Sequence, residues 1–132
     1  MCAELFSLRD KVALVTCAGK GLGKSMALEL SESGAHVVVV SRTLSEIEAM
    51  AGEIQENGVK SLPIALDVTK EEDVVRMVEM ILCEFKTIDI LVNNVGTFIG
   101  GSFLEFSIDD WHKRSDYITG QVIFVDGGFS AQ

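Results

Sequence analysis

Four consecutive valines, Val37 to Val40, constrain this chain more than any other feature. Side chains of a strand alternate between two faces, so an unbroken β-branched run is apolar on both. Such a strand belongs in the middle of a parallel sheet covered by helices on each side. The flanking sequence agrees. Residues 11–16, 35–41, 61–66 and 88–93 read as short buried strands, and a segment with helical spacing separates each from the next. In the first helical segment, residues 22–33, the spacing sets Leu22, Met26, Ala27 and Leu30 on one face, and Gly34 stops it. The second opens on Thr43 with Glu46 three residues later, a capping box. Its apolar stripe is Leu44, Ile47, Ala51 and Ile54, and Asn57-Gly58 ends it. The third repeats the box with Thr69 and Glu72 and carries Val74, Val78, Ile81, Leu82 and Phe85 on one side. This β-α-β-α-β-α-β order with short, right-handed connections predicts an α/β fold of three layers with a doubly wound parallel sheet.

Between the first strand and the first helix lies Val15-Thr-Cys-Ala-Gly-Lys-Gly-Leu-Gly-Lys-Ser25. A glycine turn at this place presents backbone N–H groups and a helix N-terminus to a phosphate. Two ligand classes use that device. Ala18-x-x-x-x-Gly23-Lys24-Ser25 fits a relaxed phosphate loop of a nucleoside triphosphatase, with Lys24 on the terminal phosphates and Ser25 on Mg²⁺. Asp67, after the apolar run Ile64-Ala-Leu66, would then be the second metal-binding acid. The alternative is a dinucleotide site.

The chain has 132 residues, enough for one domain, residues 1–132, and too few for two. A net charge of −9 argues against a nucleic-acid partner, so an anionic ligand must be drawn by local cations. No apolar run approaches membrane-spanning length, and Glu4, Arg9 and Asp10 interrupt any signal-peptide core. Cys2, Cys17 and Cys83 are odd in number and lack metal-ligand spacing, which predicts a reduced, cytoplasmic setting and no metal site.

Four segments carry a family resemblance. Thr16-Cys-Ala-Gly19-Lys20-Gly21-Leu22-Gly23 resembles the Thr-Gly-x-x-x-Gly-x-Gly turn of the short-chain dehydrogenase/reductase family. Asp67-Val68 is similar to the family's adenine-contacting pair after the third strand. Asn93-Asn94-Val95-Gly96 resembles its Asn-Asn-Ala-Gly, and Tyr117 to Gly128 its C-terminal strand and turn. The match runs over residues 8–113 and 115–130 and implies a Rossmann-type NAD(P)-binding oxidoreductase. By that resemblance Gly21 and Gly23 admit the pyrophosphate, Asp67 and the Val68 backbone meet the adenine, and Asn94, Val95 and Gly96 border the ribose. Asn93 would tie neighbouring strands together. NAD enzymes of this fold carry an acid at the end of the second strand. Ser41 and Arg42 stand there instead, and Lys20 adds a second cation, so NADP(H) is expected rather than NAD(H). Cys17 occupies the place of the family's first glycine. If that position needs positive φ or close backbone approach, the side chain costs about 1–2 kcal/mol or crowds the ligand, which would weaken cofactor binding.

The family's catalysis resembles general acid chemistry by a tyrosine with a lysine four residues on. Here the single tyrosine, Tyr117, is followed at that distance by Gln121 and matches the C-terminal loop instead. The chain runs from the helix after the fourth strand directly into the last-strand region, with the join near residues 113–115. A positioned general acid is worth roughly 10²–10⁴-fold, so cofactor binding without competent catalysis is expected, and no catalytic residue is assigned. A non-catalytic nucleotide-binding module is the alternative. A small carbonyl or alcohol substrate is implied only for the complete family fold. The predicted strand order is 3-2-1-4-7, with residues 121–125 covering the edge of the fourth strand, and oligomerisation is left open.

Overall fold

The computed structural model describes residues 5–96. Four parallel strands alternate with three helices: β1 (Val12–Thr16), α1 (Gly21–Glu32), β2 (His36–Ser41), α2 (Leu44–Glu56), β3 (Ser61–Ala65), α3 (Glu71–Phe85) and β4 (Ile90–Val92). The sheet order is β3-β2-β1-β4, and every pair is parallel. This is the expected α/β sheet over the described residues. The seventh-strand position expected for residues 121–125 lies outside them.

The valine run behaves as its pattern predicts. Val37, Val38, Val39 and Val40 are fully buried, and β2 lies between β1 and β3. Val37 and Val39 join Val15 against Ala27 of α1 and Ile47, Met50, Ala51 and Ile54 of α2. Val38 and Val40 face the other way, joining Val12, Leu14 and Ile64 against Met77 and Ile81 of α3. Each buried valine contributes about 1.5–3 kcal/mol, so the two cores are coupled through one strand.

The helices differ from expectation in which side chains they bury. Leu22 is 70% exposed, because α1 lies on the sheet through Gly23, Ala27 and Ser31, one turn apart. Small side chains let this helix approach β1 closely. Leu44 and Leu82 are also largely exposed, and Met50 and Met77 take the buried positions instead. Gly34 (φ +99) and Gly58 (φ +79) end α1 and α2 in the left-handed conformation, as their placement predicts.

Neither capping box forms. Thr43 is the N-cap of α2, yet its side chain makes no cap hydrogen bond, and its N–H donates to Ser41 Oγ at 3.0 Å. Ser41 therefore takes the donor that Glu46 would have met. At α3 the cap is Lys70, one residue later than expected. Thr69 Oγ1 donates instead to Asp67 Oδ1 at 2.7 Å, closing a local turn at the end of β3. At the opposite end of the sheet Asp89 fastens β4 to β1, accepting from Val12 N–H at 2.8 Å and donating its own N–H to the Val12 carbonyl.

Candidate dinucleotide site

Parallel pairing puts the carboxyl ends of all four strands on one edge. Thr16 lies beside Val40, Ser41 beside Ala65 and Val15 beside Val92. The segments that follow these strands are the ones singled out from the sequence. Because β1 is flanked by β2 on one side and β4 on the other, the sheet order reverses at β1. Ligands of open α/β sheets bind at such a switch point.

The glycine turn is shaped for an anion. Cys17 and Gly21 take positive φ, +52 and +60, and Ala18 N–H donates to the Val40 carbonyl, which seats the turn on the end of β2. Lys20 caps α1 in an extended conformation with no side-chain hydrogen bond, and no acid stands in the first turn of α1. By contrast, α3 opens on Glu71, Glu72 and Asp73. The first amides of α1 are thus neither capped by a side chain nor neutralised within the helix. Among the described residues nothing lies within 4 Å of where a Cβ on Gly21 would stand, leaving the helix end open to them. Gly23 is the reverse case. A Cβ there would strike the Cys17 carbonyl oxygen and Asn94 Nδ2, so only glycine lets α1 pack this close. Open access at one glycine and close packing at the next suit a bound pyrophosphate.

Thr16 and Asn94, both candidate cofactor-site residues from the sequence, also bond within the scaffold. Thr16 is 5% exposed, and its Oγ1 accepts the Asn94 N–H at 2.9 Å while donating to the Val92 carbonyl. Asn94 Nδ2 donates to the Cys17 carbonyl at 3.5 Å. The strand tie expected of Asn93 is therefore made by Asn94, and Asn93 is exposed. Asn94 follows β4 directly enough to reach both Thr16 and the turn. Val95 is half-buried and Gly96 exposed.

At the β2–β3 end the Ser41 carbonyl accepts the Leu66 N–H, drawing the two strand ends together. Arg42 is exposed, and Asp67 and Val68 are half-buried. The Asp67 pKa is held below its ordinary value, chiefly by the Thr69 hydroxyl, then by the Thr69 N–H; desolvation opposes them, and Arg42 and Lys70 add weaker attraction. Arg42 and Asp67 thus share one electrostatic neighbourhood. Lys20 pairs with Glu46 at 3.7 Å, and Gly19 lies beneath the same carboxylate. Glu46 is the residue that sequence reasoning misassigned, since a capping box accounts for it fully until Ser41 is seen to hold the Thr43 donor.

The phosphate-loop alternative finds no support. Lys24 Nζ lies 2.8 Å from Glu53 Oε1 on α2, and Ser25 Oγ donates back to the Gly21 carbonyl. Both side chains lie along the helices. Among the described residues no three His, Cys, Asp or Glu side chains come together as a metal site, and no helix is long and apolar enough to cross a membrane.

Sheet order, glycine turn and the helix that follows it define an α/β protein of the Rossmann kind. The family model for short chain dehydrogenases matches residues 11–122, and the chain belongs to that family. An uncharacterised oxidoreductase of Staphylococcus aureus is 34% identical over 109 residues, 83% of this chain and 46% of the relative. A crystal structure of a short-chain type dehydrogenase/reductase from Mycobacterium marinum superimposes with a TM-score of 0.80 at 35% identity, covering 88% of this chain and 47% of that one. The L-sorbose reductase of Gluconobacter frateurii, solved with NADPH and L-sorbose, superimposes at 0.73 with 34% identity, covering 80% and 41%. The chain spans about half the length of the curated relatives it matches.

Proposed function

We propose that this chain binds NADP(H) at the switch point and that the 132-residue chain does not itself carry out efficient hydride transfer. Solved relatives hold NADPH in one case and NAD⁺ in another, so the choice falls to the residues around the adenosine ribose. The observation that carries the reading is the pair of cations there. Arg42 follows β2 where NAD enzymes of this fold place an acid, and Lys20 caps α1 beside the turn. A guanidinium can stack on adenine and grip a 2′-phosphate with two donors. The first amides of α1 would hold the pyrophosphate, Gly21 would leave room for it, and Asp67 would accept a hydrogen bond from the adenine amine. Bound there, the dinucleotide would supply the hydride-carrying nicotinamide.

Absence of the expected acid supports the second half of the reading. Tyr117 is the single tyrosine, and Gln121 stands where the partnering lysine is needed. Loss of a positioned general acid costs about 10²–10⁴-fold in rate. In its complete form the family fold would act on a small carbonyl or alcohol. A non-catalytic nucleotide-binding role is the reading that this tyrosine favours for the present chain.

Titration of the purified chain with NADPH and NADH, followed by nicotinamide fluorescence, tests the proposal. NADPH should bind at least about tenfold more tightly, the size expected for charge-assisted bonds to a phosphate, and Arg42→Ala should remove most of that preference. Equal binding of the two, or NADPH oxidation driven by an added carbonyl at a rate typical of an intact enzyme, would overturn it.

A further inference from the structure

Glu46 is an acid of α2 that the fold brings onto Gly19 and Lys20 of the glycine turn. Its position in the first turn of α2 is that of a capping residue, but Ser41 Oγ already holds the Thr43 N–H at 3.0 Å. The carboxylate lies instead over Gly19, with Oε2 2.7 Å from the point a Gly19 Cβ would occupy. Oε1 sits 3.7 Å from Lys20 Nζ. One of the two cations available to a 2′-phosphate is therefore already paired, and an anion entering beside Lys20 meets a like charge.

We propose that Glu46 is a specificity-determining residue, lowering the preference for a 2′-phosphorylated dinucleotide by competing for Lys20. The proposal rests on the dinucleotide reading above. Its chemistry is simple. A ligand with a free 2′-hydroxyl leaves the Lys20–Glu46 pair intact. A ligand with a 2′-phosphate must share Lys20 with the carboxylate or displace it, and either course weakens the phosphate bond. Lys20 is 84% exposed and Glu46 36% exposed at the side chain, so the opposition is that of a surface pair, screened by salt.

The test is a set of NADPH and NADH titrations at low salt on the full chain, Glu46→Gln, Lys20→Met and the double variant, with melting curves to confirm folding. Glutamine keeps the shape and removes the charge. Glu46→Gln should tighten NADPH by about two- to fivefold, the range of an exposed pair, and leave NADH unchanged. In the Lys20→Met background the same substitution should give a smaller gain. Equal tightening of both ligands, no tightening, or an undiminished gain without Lys20 would overturn the role of Glu46 and leave the NADP(H) reading standing. Failure of the unmodified chain to bind either dinucleotide would overturn both.

Discussion

Gly23→Ala and Gly52→Ala make the same chemical change at two helical positions and should have opposite effects. At Gly23 the added methyl meets the Cys17 carbonyl oxygen and Asn94 Nδ2. Neither can withdraw freely. Cys17 is already in the left-handed region, its neighbour Ala18 is bonded to Val40, and the Asn94 backbone is held by Thr16. Overpacking of this kind costs about 1–3 kcal/mol, and loss of the Asn94–Cys17 bond adds about 1 kcal/mol. Better helix propensity returns about 0.5–1 kcal/mol. The net expectation is destabilisation by about 1–3 kcal/mol, a fall in Tm of roughly 4–12 °C for a domain of this size, with NADPH binding weakened as the turn shifts. At Gly52, in the middle of α2, an added Cβ meets nothing within 4 Å among the described residues. There the propensity gain stands alone, so stability should rise by about 0.5–1 kcal/mol. Paired thermal and urea melts would show the difference. Matching effects of the two substitutions would refute the packing assigned to Gly23.

Cys17→Gly should relieve strain of about 1–2 kcal/mol against a glycine entropy cost of about 0.5–1 kcal/mol, giving a modest rise in Tm and tighter NADPH binding; a lower Tm would contradict this account of the φ of +52. Lys24→Met breaks a partly exposed pair with Glu53 and should alter stability by no more than about 1 kcal/mol. It should leave NADPH affinity unchanged, whereas a marked loss would return Lys24 to a phosphate-binding role. Asp67 has a depressed folded pKa, so its contribution to stability is present above the unfolded pKa and is lost as pH falls through the lower, folded value. Thr69→Val removes the largest cause and should bring the pKa up toward its ordinary value, which a carbon-13 titration of the side-chain carboxyl would report. An unmoved pKa would assign the depression to the backbone N–H of residue 69, which the variant keeps, and to Arg42 and Lys70.

The sheet was legible because its signal is local. A valine run apolar on both faces specifies a central strand, and the glycine turn marks where the first crossover begins. Alternation and handedness specified a doubly wound sheet, while the particular order, β3-β2-β1-β4 over the described residues, rested on the family resemblance. Which helix residues face the core was less legible. Leu22 looks like core by hydropathy, but α1 approaches the sheet on Gly23, Ala27 and Ser31, and a stripe of small residues carries little hydrophobic signal. Met50 and Met77 face the core while Leu44 and Leu82 do not, because the phase of a helix depends on its packing partner. At the site, the backbone features were foreseen and the side-chain partners were not. Glu46 and Asn94 each bond to a residue brought close by the fold, which no spacing rule along the chain could report. The Ser41–Thr43 bond, by contrast, is a local turn contact that competes with the capping box.

Amide chemical-shift mapping of the isotopically labelled chain during NADPH titration tests the central claim most directly. The account predicts the largest perturbations at Gly19 to Gly23, at Arg42 and at Asp67 and Val68, saturating together, with the Lys24 side-chain environment little changed. Perturbations concentrated away from the carboxyl ends of β1, β2 and β3, or no saturable shift at all, would contradict it.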